Sequence, residues 1–205
     1  NGNKKWLIFD GESPQAVTID DSGNAYVTGL YFTSKYAVNG TVAWTESEGG
    51  FSIAVDPEHK VYVGVAGPGP EYMYHLRKYD SDGTLDWMRT LPEEISGFYA
   101  VKVDNCGYIY AAGLETLPSA STDKYSQTST YRFDQTGQAL WHVSFIPLNS
   151  GSYRPFLELD HLGNAYVAGR AGLGNGRFAA TYAAKLQPIP SLYLSRDTVS
   201  LGEVN

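Results

Sequence analysis

The amino-acid sequence predicts an all-β fold, a β-propeller built from four four-stranded blade repeats. Three observations lead to this prediction. One ten-residue stretch occurs twice with few changes, as DDSGNAYVTG at 20–29 and as DHLGNAYVAG at 160–169. The chain shows no sustained helical period, and short runs of β-forming residues alternate with Gly, Asn and Asp. Aligned elements recur at intervals of about 40–50 residues, which is the usual length of one blade.

The first repeated element predicts two strands joined by a tight turn. Four short segments end in an aspartate, and a tyrosine stands six residues after each of them. Gly and Asn in the turn supply the left-handed backbone conformations that such a turn needs. We expect each aspartate to cap its own turn. The aligned residues are Asp20, Asp56, Asp104 and Asp160, followed by Tyr26, Tyr62, Tyr110 and Tyr166.

The second repeated element predicts the third and fourth strands of each blade. KYAVNG at 35–40, KYDSDG at 78–83 and RFDQTG at 132–137 each close on a glycine, and a tryptophan follows four residues later. The same spacing near the start of the chain places all four tryptophans at one repeat position. We expect their side chains to be core wedges between blades, and the repeated tyrosines to pack likewise. The tryptophans are Trp6, Trp44, Trp87 and Trp141.

The ends of the repeat region predict the domain organisation. Residues 1–187 hold the blades, and the segment 4–9 carries a Trp strand with no preceding partners. The last unit has three predicted strands and then no Trp, so segment 4–9 is able to supply its fourth strand and close a four-bladed ring. Consecutive blades of a larger ring, for example a seven-bladed one, fit the same pattern. Residues 188–205 are predicted to be a linker and the start of a following β-sandwich-like unit.

Composition limits the class of partner. The chain has 205 residues and a formal net charge of −7, which disfavours nucleic acid and anionic membranes because either would need a basic surface. No apolar run approaches the ~18 residues that span a bilayer, so no membrane insertion is expected. The single cysteine excludes an internal disulfide. The opening Asn-Gly-Asn indicates a mature or excised segment of a longer protein.

The repeat resembles a group of bacterial β-propeller repeats with a V-D-x-x-G-N-x-Y-V-x-G core, often called SBBP (seven-bladed) repeats. It is similar, more loosely, to NHL and PQQ-type blades. Residues 20–29 and 160–169 fit that core closely, whereas the copy that starts at Asp56 departs most, with Pro57-Glu58-His59 in its turn. The resemblance implies a secreted or bacterial cell-surface protein, and it carries over no catalytic residue.

Loop lengths divide the predicted disc into two faces. The Asp-to-Tyr spacing is six and the Gly-to-Trp spacing is four in every unit, so the turns that lie on one face have constant length. We call this the fixed-turn face. The loops between second and third strands and the connections between blades vary in length, and they lie together on the opposite, variable face. Such loops on a rigid scaffold are where binding sites are built. The candidate binding residues there are Tyr72, Tyr125, Tyr153, Arg154 and Arg177.

The sequence contains no convergent catalytic or metal-ligating set, and we predict no cofactor and no metal. The four histidines show no metal-ligand spacing, and the turn stretches DDSGN and DSDG lack the distant bidentate Glu of a calcium loop. We therefore predict a non-enzymatic, extracellular or cell-surface module with a structural or recognition role, whose partner is a protein, a glycan or a neighbouring domain. The alternative is a carbohydrate-active lyase or hydrolase that uses carboxylates on the variable face, among them Glu46, Glu48, Glu93 and Glu94.

Overall fold

Four antiparallel sheets follow one another along the chain, and each is one blade. The structure is a computed structural model that describes residues 5–7, 13–65, 75–90, 95–116, 126–145, 154–173 and 177–187, and these ranges contain strands but no helix. Blade one contains β1 (Pro14–Ile19), β2 (Ala25–Gly29), β3 (Thr33–Tyr36) and β4 (Val42–Glu46). Blade two contains β5 (Ser52–Val55), β6 (Val61–Gly64), β7 (His75–Tyr79) and β8 (Leu85–Thr90). Blade three contains β9 (Ile95–Val103), β10 (Ile109–Thr116), β11 (Ser126–Phe133) and β12 (Ala139–Phe145). Blade four, in the described ranges, contains β13 (Phe156–Leu159), β14 (Ala165–Leu173) and β15 (Arg177–Leu186).

The arrangement of the blades confirms the predicted β-propeller fold. Strands pair in chain order within every blade, and the first strands of successive blades contact one another, β1 with β5, β5 with β9 and β9 with β13. The first strands therefore line the centre and the later strands lie outside. Among the described residues, β13 makes no comparable contact with β1, so the first and last blades remain apart.

The turns between first and second strands have the left-handed residue that the repeat predicts. Gly23, Gly107 and Gly163 have φ values of +82°, +78° and +77°. In blade two His59 takes this position with a φ of +62°, a conformation that costs a non-glycine residue energy but that His adopts more readily than most. The departure of the Pro57-Glu58-His59 turn from the repeat is thus a change of residue at an unchanged backbone conformation.

Each blade presents one face to the following blade and another to the preceding one. On β2 the side chain of Tyr26 points toward blade two, and on β5 the side chain of Ile53 points back to meet it. We call these the front face and the back face of a blade. Because side chains alternate along a strand, consecutive residues contribute to opposite faces. Three apolar clusters fill the three seams between consecutive blades.

Trp44 and Trp87 join neighbouring blades as half-buried rings, whereas Trp6, expected to be a core wedge like them, is 39% exposed. The indole N–H of Trp44 donates to the carbonyl of Ser81 in the next blade at 3.1 Å, and Trp87 donates to the carbonyl of Gln135 at the same distance. Gly83, which has a φ of +93°, lies under the Trp44 ring, where an added Cβ would come within 2.8 Å of that ring. Glycine is therefore required there both by the turn conformation and by the close approach of the tryptophan.

Two details differ from the prediction. The segment 4–9 was expected to form a strand, but its described residues, 5–7, have no regular secondary structure. Tyr166 was expected to pack like the other three repeated tyrosines, yet it is 41% exposed while Tyr26 and Tyr62 are fully buried. The reason is positional, because no further blade covers the front face of blade four in the described structure.

Other predictions fall partly or wholly outside the described residues. The proposed linker and following unit at 188–205 lie outside them, and so does the whole variable loop between β10 and β11, residues 117–125. Gly172 and Leu173 lie at the end of β14, and Arg177 begins β15. In the described parts of the chain no helix has the length and apolar character that a membrane crossing requires.

The seam contacts predict the effect of removing one tryptophan. Trp87→Ala should lower the free energy of unfolding by roughly 3 kcal/mol, because it removes the ring from the seam with Tyr62 and leaves the Gln135 carbonyl with only its longer hydrogen bond from Lys78. Urea denaturation followed by circular dichroism measures this change. Leu85→Ala, on the same strand but in an exposed position, is the matched control and should cost under about 1 kcal/mol. Equal losses in the two variants would show that the seam does not depend on the tryptophan.

Candidate functional site

Two of the five predicted binding residues lie within the described structure. Arg154 stands two residues before β13, where the connection from blade three reaches the inner strand of blade four. Arg177 begins β15, also at the variable-face end of its strand. Tyr72, Tyr125 and Tyr153 lie outside the described residues. The geometry of a candidate site can therefore be followed around Arg154.

The guanidinium group of Arg154 lies over two aromatic rings from two other blades. It is 4.5 Å from the ring centroid of Phe51 and 5.0 Å from that of Tyr99. The two rings contact each other edge to face, with centroids 5.6 Å apart. Phe51 and Arg154 lie just before an inner strand, and Tyr99 lies in the middle of the longer inner strand β9, at the same distance from its repeat aspartate as Phe51. The three residues therefore meet at the centre of the variable face. Three successive blades thus contribute one side chain each to a cation–π cluster.

A β-bulge positions Tyr99 in this cluster. In the pairing of β9 with β10, Ala100 lies opposite Ala112 and Phe98 lies opposite Gly113, which leaves Tyr99 as the extra residue. A bulge interrupts the strict alternation of side chains and redirects one of them. Phe98 can therefore be fully buried in the seam while the adjacent Tyr99 remains half-buried beside Arg154.

Phe51 is held by the backbone of its own blade. It directly precedes β5, and its amide N–H donates to the carbonyl of Gly64 at 2.8 Å. Sequence reasoning missed both Phe51 and Tyr99, although a signal was present. Each stands five residues before its repeat aspartate, Asp56 or Asp104, so both occupy the same repeat position. An aromatic pair at one inner position of neighbouring units indicates a shared surface at the propeller axis.

The electrostatic state of Arg154 makes the cluster suitable for binding. Its side chain is exposed, and within the described ranges no carboxylate lies at ion-pair distance from it. A guanidinium stacked on rings keeps its edge N–H groups available for bidentate hydrogen bonds to a carboxylate, a phosphate or neighbouring hydroxyls. The ring contacts also restrict its motion, so less conformational entropy is lost when a ligand binds.

A network of polar side chains near the variable-face end of β10 holds the carboxylate of Glu115. One oxygen of Glu115 accepts hydrogen bonds from Gln127 at 2.7 Å, Ser129 at 2.5 Å and Ser144 at 2.8 Å. Burial acts to raise the pKa of this carboxyl, but the three donors outweigh it and the pKa lies below its usual value. Glu115 is therefore an ionised, fixed carboxylate on the face of blade three that turns toward blade two, and sequence reasoning did not identify it.

The carboxylates named for the enzymatic alternative are only partly described. Glu48 forms an ion pair with Arg77 at 3.0 Å, and its backbone carbonyl accepts from Thr33. Glu46 ends β4, whereas Glu93 and Glu94 lie outside the described residues. The carboxylate of Glu48 is thus already paired with a largely buried arginine, and this ion pair belongs to the packing of the fold and not to a catalytic pair.

On the fixed-turn face the repeat aspartates cap their turns. One oxygen of Asp104 accepts from the amides of Cys106 and Tyr108, and Asp160 accepts from those of Leu162 and Asn164 in the same way. In blades one, two and four the other oxygen accepts from the tyrosine hydroxyl six residues later, at 2.8–3.1 Å. In blade three Tyr110 donates instead to the carbonyl of Gly163 in the next blade, at 2.9 Å.

These bonds shift the acid–base properties of the turn residues. Burial tends to raise the pKa of Asp20, but hydrogen bonds from Asn24 and Tyr26 and the influence of His59 lower it overall. Hydrogen bonding, above all from the Asn164 side chain, lowers the pKa of Asp160 to about 2. Burial is the largest cause of the raised pKa of Tyr110, about 12. Asp20 and Asp160 are therefore ionised acceptors, and Tyr110 remains a protonated donor.

One group of potential metal ligands appears on the fixed-turn face. The left-handed His59 turns its ring toward blade one, where Nδ1 lies 3.0 Å from Asp20 and Nε2 lies 3.9 Å from Asp21. The ligand atoms of these three residues lie within 4.8 Å of one another. Spacing along the chain does not reveal this group because His59 comes from the next blade. Asp20 already accepts hydrogen bonds from Asn24, Tyr26 and potentially His59, which satisfies it without an ion.

Comparison with known proteins supports the fold and no specific family. No protein-family model matches the chain, and no curated protein matches it significantly, so membership of the SBBP-type repeat group stays a prediction. A solved luciferin-regenerating enzyme matches with 14% identity and a TM-score of 0.51, over 84% of this chain and 61% of that one. The tricorn protease matches with 14% identity and a TM-score of 0.50, over 81% of this chain and 16% of that one.

A third similar structure is a protein of unknown function from Bacteroides caccae, with 14% identity and a TM-score of 0.48. The chain covers 59% of that protein and 61% of the luciferin-regenerating enzyme, which is less than two thirds of either. At this level of identity, the likeness is one of fold alone. The chain has a propeller-like β fold.

The hydrogen bonds to Asp20 predict a pH-dependent contribution to stability. At about pH 7, Asp20→Asn should lower the free energy of unfolding by about 1–3 kcal/mol, because a buried ionised acceptor is lost. The folded pKa of Asp20 lies below the unfolded value of about 3.9. The stabilisation is therefore complete above that unfolded value and disappears as the pH falls through the folded pKa.

The measurement is urea denaturation of wild type and variant between neutral pH and about pH 2, where the two curves should converge. Asp21→Asn is the matched control, since the Asp21 side chain is 79% exposed and its loss should change stability little at any pH. A constant difference between Asp20→Asn and wild type over the whole range would contradict the assigned ionisation.

Proposed function

We propose that this protein is a non-enzymatic recognition module whose partner contacts the centre of the variable face. The observation that carries the proposal is the cluster in which the exposed Arg154 guanidinium lies over Phe51 and Tyr99. Aromatic residues and arginine on a rigid scaffold dominate the binding energy of many interfaces. The cluster is built from three blades, so the propeller fold itself holds it in place.

The chemistry of the cluster favours a protein or glycan partner. An arginine edge pairs with carboxylates and hydroxyls, and aromatic rings offer flat apolar area beside it. A net charge of −7 disfavours nucleic acid as the partner. A neighbouring domain of the same chain could be bound by the same guanidinium and aromatic rings. The predicted resemblance to bacterial surface repeats supports an extracellular or cell-surface location, where such partners are available.

The proposal predicts that one substitution abolishes recognition without unfolding the protein. The labelled protein is applied to an array of acidic and neutral glycans and to a matched array of peptides, and the affinity for each positive ligand is then measured. Arg154→Ala should weaken binding about tenfold or more, equivalent to ~1.4 kcal/mol, because the bidentate donor is lost. Arg154→Lys should recover only part of it, since an ammonium lacks the planar fork.

Lys60→Ala is the matched control, because it removes one positive charge from the fixed-turn face, where Lys60 pairs with Asp80. It should bind as the wild type does. Binding that depends on Lys60 and not on Arg154 would show that recognition uses the opposite face.

An enzymatic function on the same face is the second candidate, and Glu115 is the observation that favours it. Its carboxylate is ionised and held by three side-chain donors, which suits a base or a nucleophile better than a proton donor. A carbohydrate-active enzyme of this kind would release new reducing ends or unsaturated sugars from acidic polysaccharides, and Glu115→Gln would abolish the release. If the wild type binds an acidic polysaccharide but releases no product from it, the enzymatic candidate is excluded and the recognition role stands.

A further inference from the structure

The back face of blade one is apolar and uncovered. Val17 and Ile19 on β1 are 67% and 68% exposed. The residues that correspond to Val17 in the other blades, counted from the repeat aspartate, are Ile53, Val101 and Leu157, and these are 7%, 2% and 3% exposed. The same position is therefore buried wherever a preceding blade covers it. Only in blade one does it face solvent.

The front face of blade four is uncovered in the complementary way. Tyr166 is 41% exposed, although its equivalents in the three preceding blades are fully buried. Phe156, on the adjacent strand, is 73% exposed. Together with the aliphatic stem of Lys185, these rings line a shallow apolar depression on the sheet. The two surfaces that one further seam would need are therefore both present, but they do not cover each other.

The uncovered back face already contains the tryptophan of a seam. The Trp6 ring stacks on Tyr36 with centroids 6.3 Å apart, and its N–H donates to the carbonyl of Val38 at 3.1 Å. Trp44 makes the corresponding contacts with Tyr79 and with Ser81 in the next seam. A blade that docks against blade one must therefore bring three strands and no tryptophan.

Blade four meets this requirement in its described residues. It has three strands, and no strand pairs along the outer edge of β15 within that part of the chain. Its Lys185 lies 5.3 Å from the Tyr166 ring, as Lys35 lies 5.1 Å from Tyr26 in blade one. Lys35 also donates to the Ser81 carbonyl that accepts from Trp44, at 3.4 Å. The equivalent carbonyl on the uncovered back face is that of Val38.

We propose that a second copy of this chain docks head to tail on the first, with the front face of blade four in one copy covering the back face of blade one in the other. Phe156 and Tyr166 of the second copy then bury Val17 and Ile19, and Lys185 of the second copy donates to the Val38 carbonyl beside Trp6. The unpaired edge of β15 comes next to segment 5–7. The new seam continues the pattern of the three existing seams.

The geometry of the pair follows from the two faces. Because the faces differ, the contact is heterologous, and two copies form a closed pair only if both seams are made at once. Closure buries both apolar ends of the arc and the exposed β15 edge, which would otherwise promote aggregation. The variable-face cluster around Arg154 takes no part in the seam, so this inference does not depend on the proposed function.

The test measures the mass of the purified chain in solution by light scattering and sedimentation velocity over a range of concentrations. Wild type should give a dimer, twice the 22.4 kDa of one chain. A back-face variant, Val17→Lys with Ile19→Lys, and a front-face variant, Phe156→Lys with Tyr166→Lys, should each be monomeric. The control, Leu85→Lys with Leu140→Lys, carries the same charge change at exposed apolar residues of outer strands and should remain dimeric.

Mixing the two monomeric variants is the decisive measurement. Each keeps one intact face, so an equimolar mixture should form a heterodimer through a single seam, whereas neither variant does so alone. If a lysine variant loses its circular dichroism signal, Val17→Thr with Ile19→Thr replaces it. A monomeric wild type would overturn the proposal, and so would a mixture that stays monomeric. A monomer whose melting temperature falls in both seam variants would show that the chain closes on itself instead.

Discussion

The contact between a tryptophan of one blade and a glycine in the next determines how the blades fit together. The indole ring lies against the glycine of a turn, and its N–H donates to a carbonyl of that same turn. A single added carbon at Gly83 would come within 2.8 Å of Trp44, so the distance between neighbouring blades is set by a position that must stay bare. The apolar clusters of the seams can only form at that distance. Sheet twist and strand pairing belong to single blades, but the relative placement of blades depends on this contact.

Residues at constant spacing are the ones whose structure could be predicted from the sequence. The Asp-to-Tyr and Gly-to-Trp intervals each contain one tight turn, and the geometry of such a turn is local, so spacing and residue type are enough to predict it. The alternation of faces follows from the same strands. That is why the four repeat units, the turn-capping aspartates and the interblade contacts of Trp44 and Trp87 could be anticipated.

The parts of the site that could not be predicted depend on contacts between blades. His59 reaches Asp20 because it takes a glycine position in a turn of the following blade, and nothing in its own unit points to that partner. Tyr99 joins Arg154 because a bulge shifts β9 by one residue. Gly97, with a φ of +108°, and Gly113 flank this bulge, but glycine is frequent throughout the sequence and does not identify a bulge by itself. The exposure of Tyr166 depends on the absence of a neighbour and not on its own residue type.

The tryptophan of each seam and the glycine that it covers belong to different repeat units. Each of blades one to three therefore offers a ring to the blade that follows and a glycine to the ring that precedes it, at Gly40, Gly83 and Gly137. Duplication of one of these three units in a gene would leave each ring that precedes a copy opposite a glycine. The number of blades can then increase during evolution without a compensating substitution at these seams, while the loops of the variable face diverge independently in each new unit.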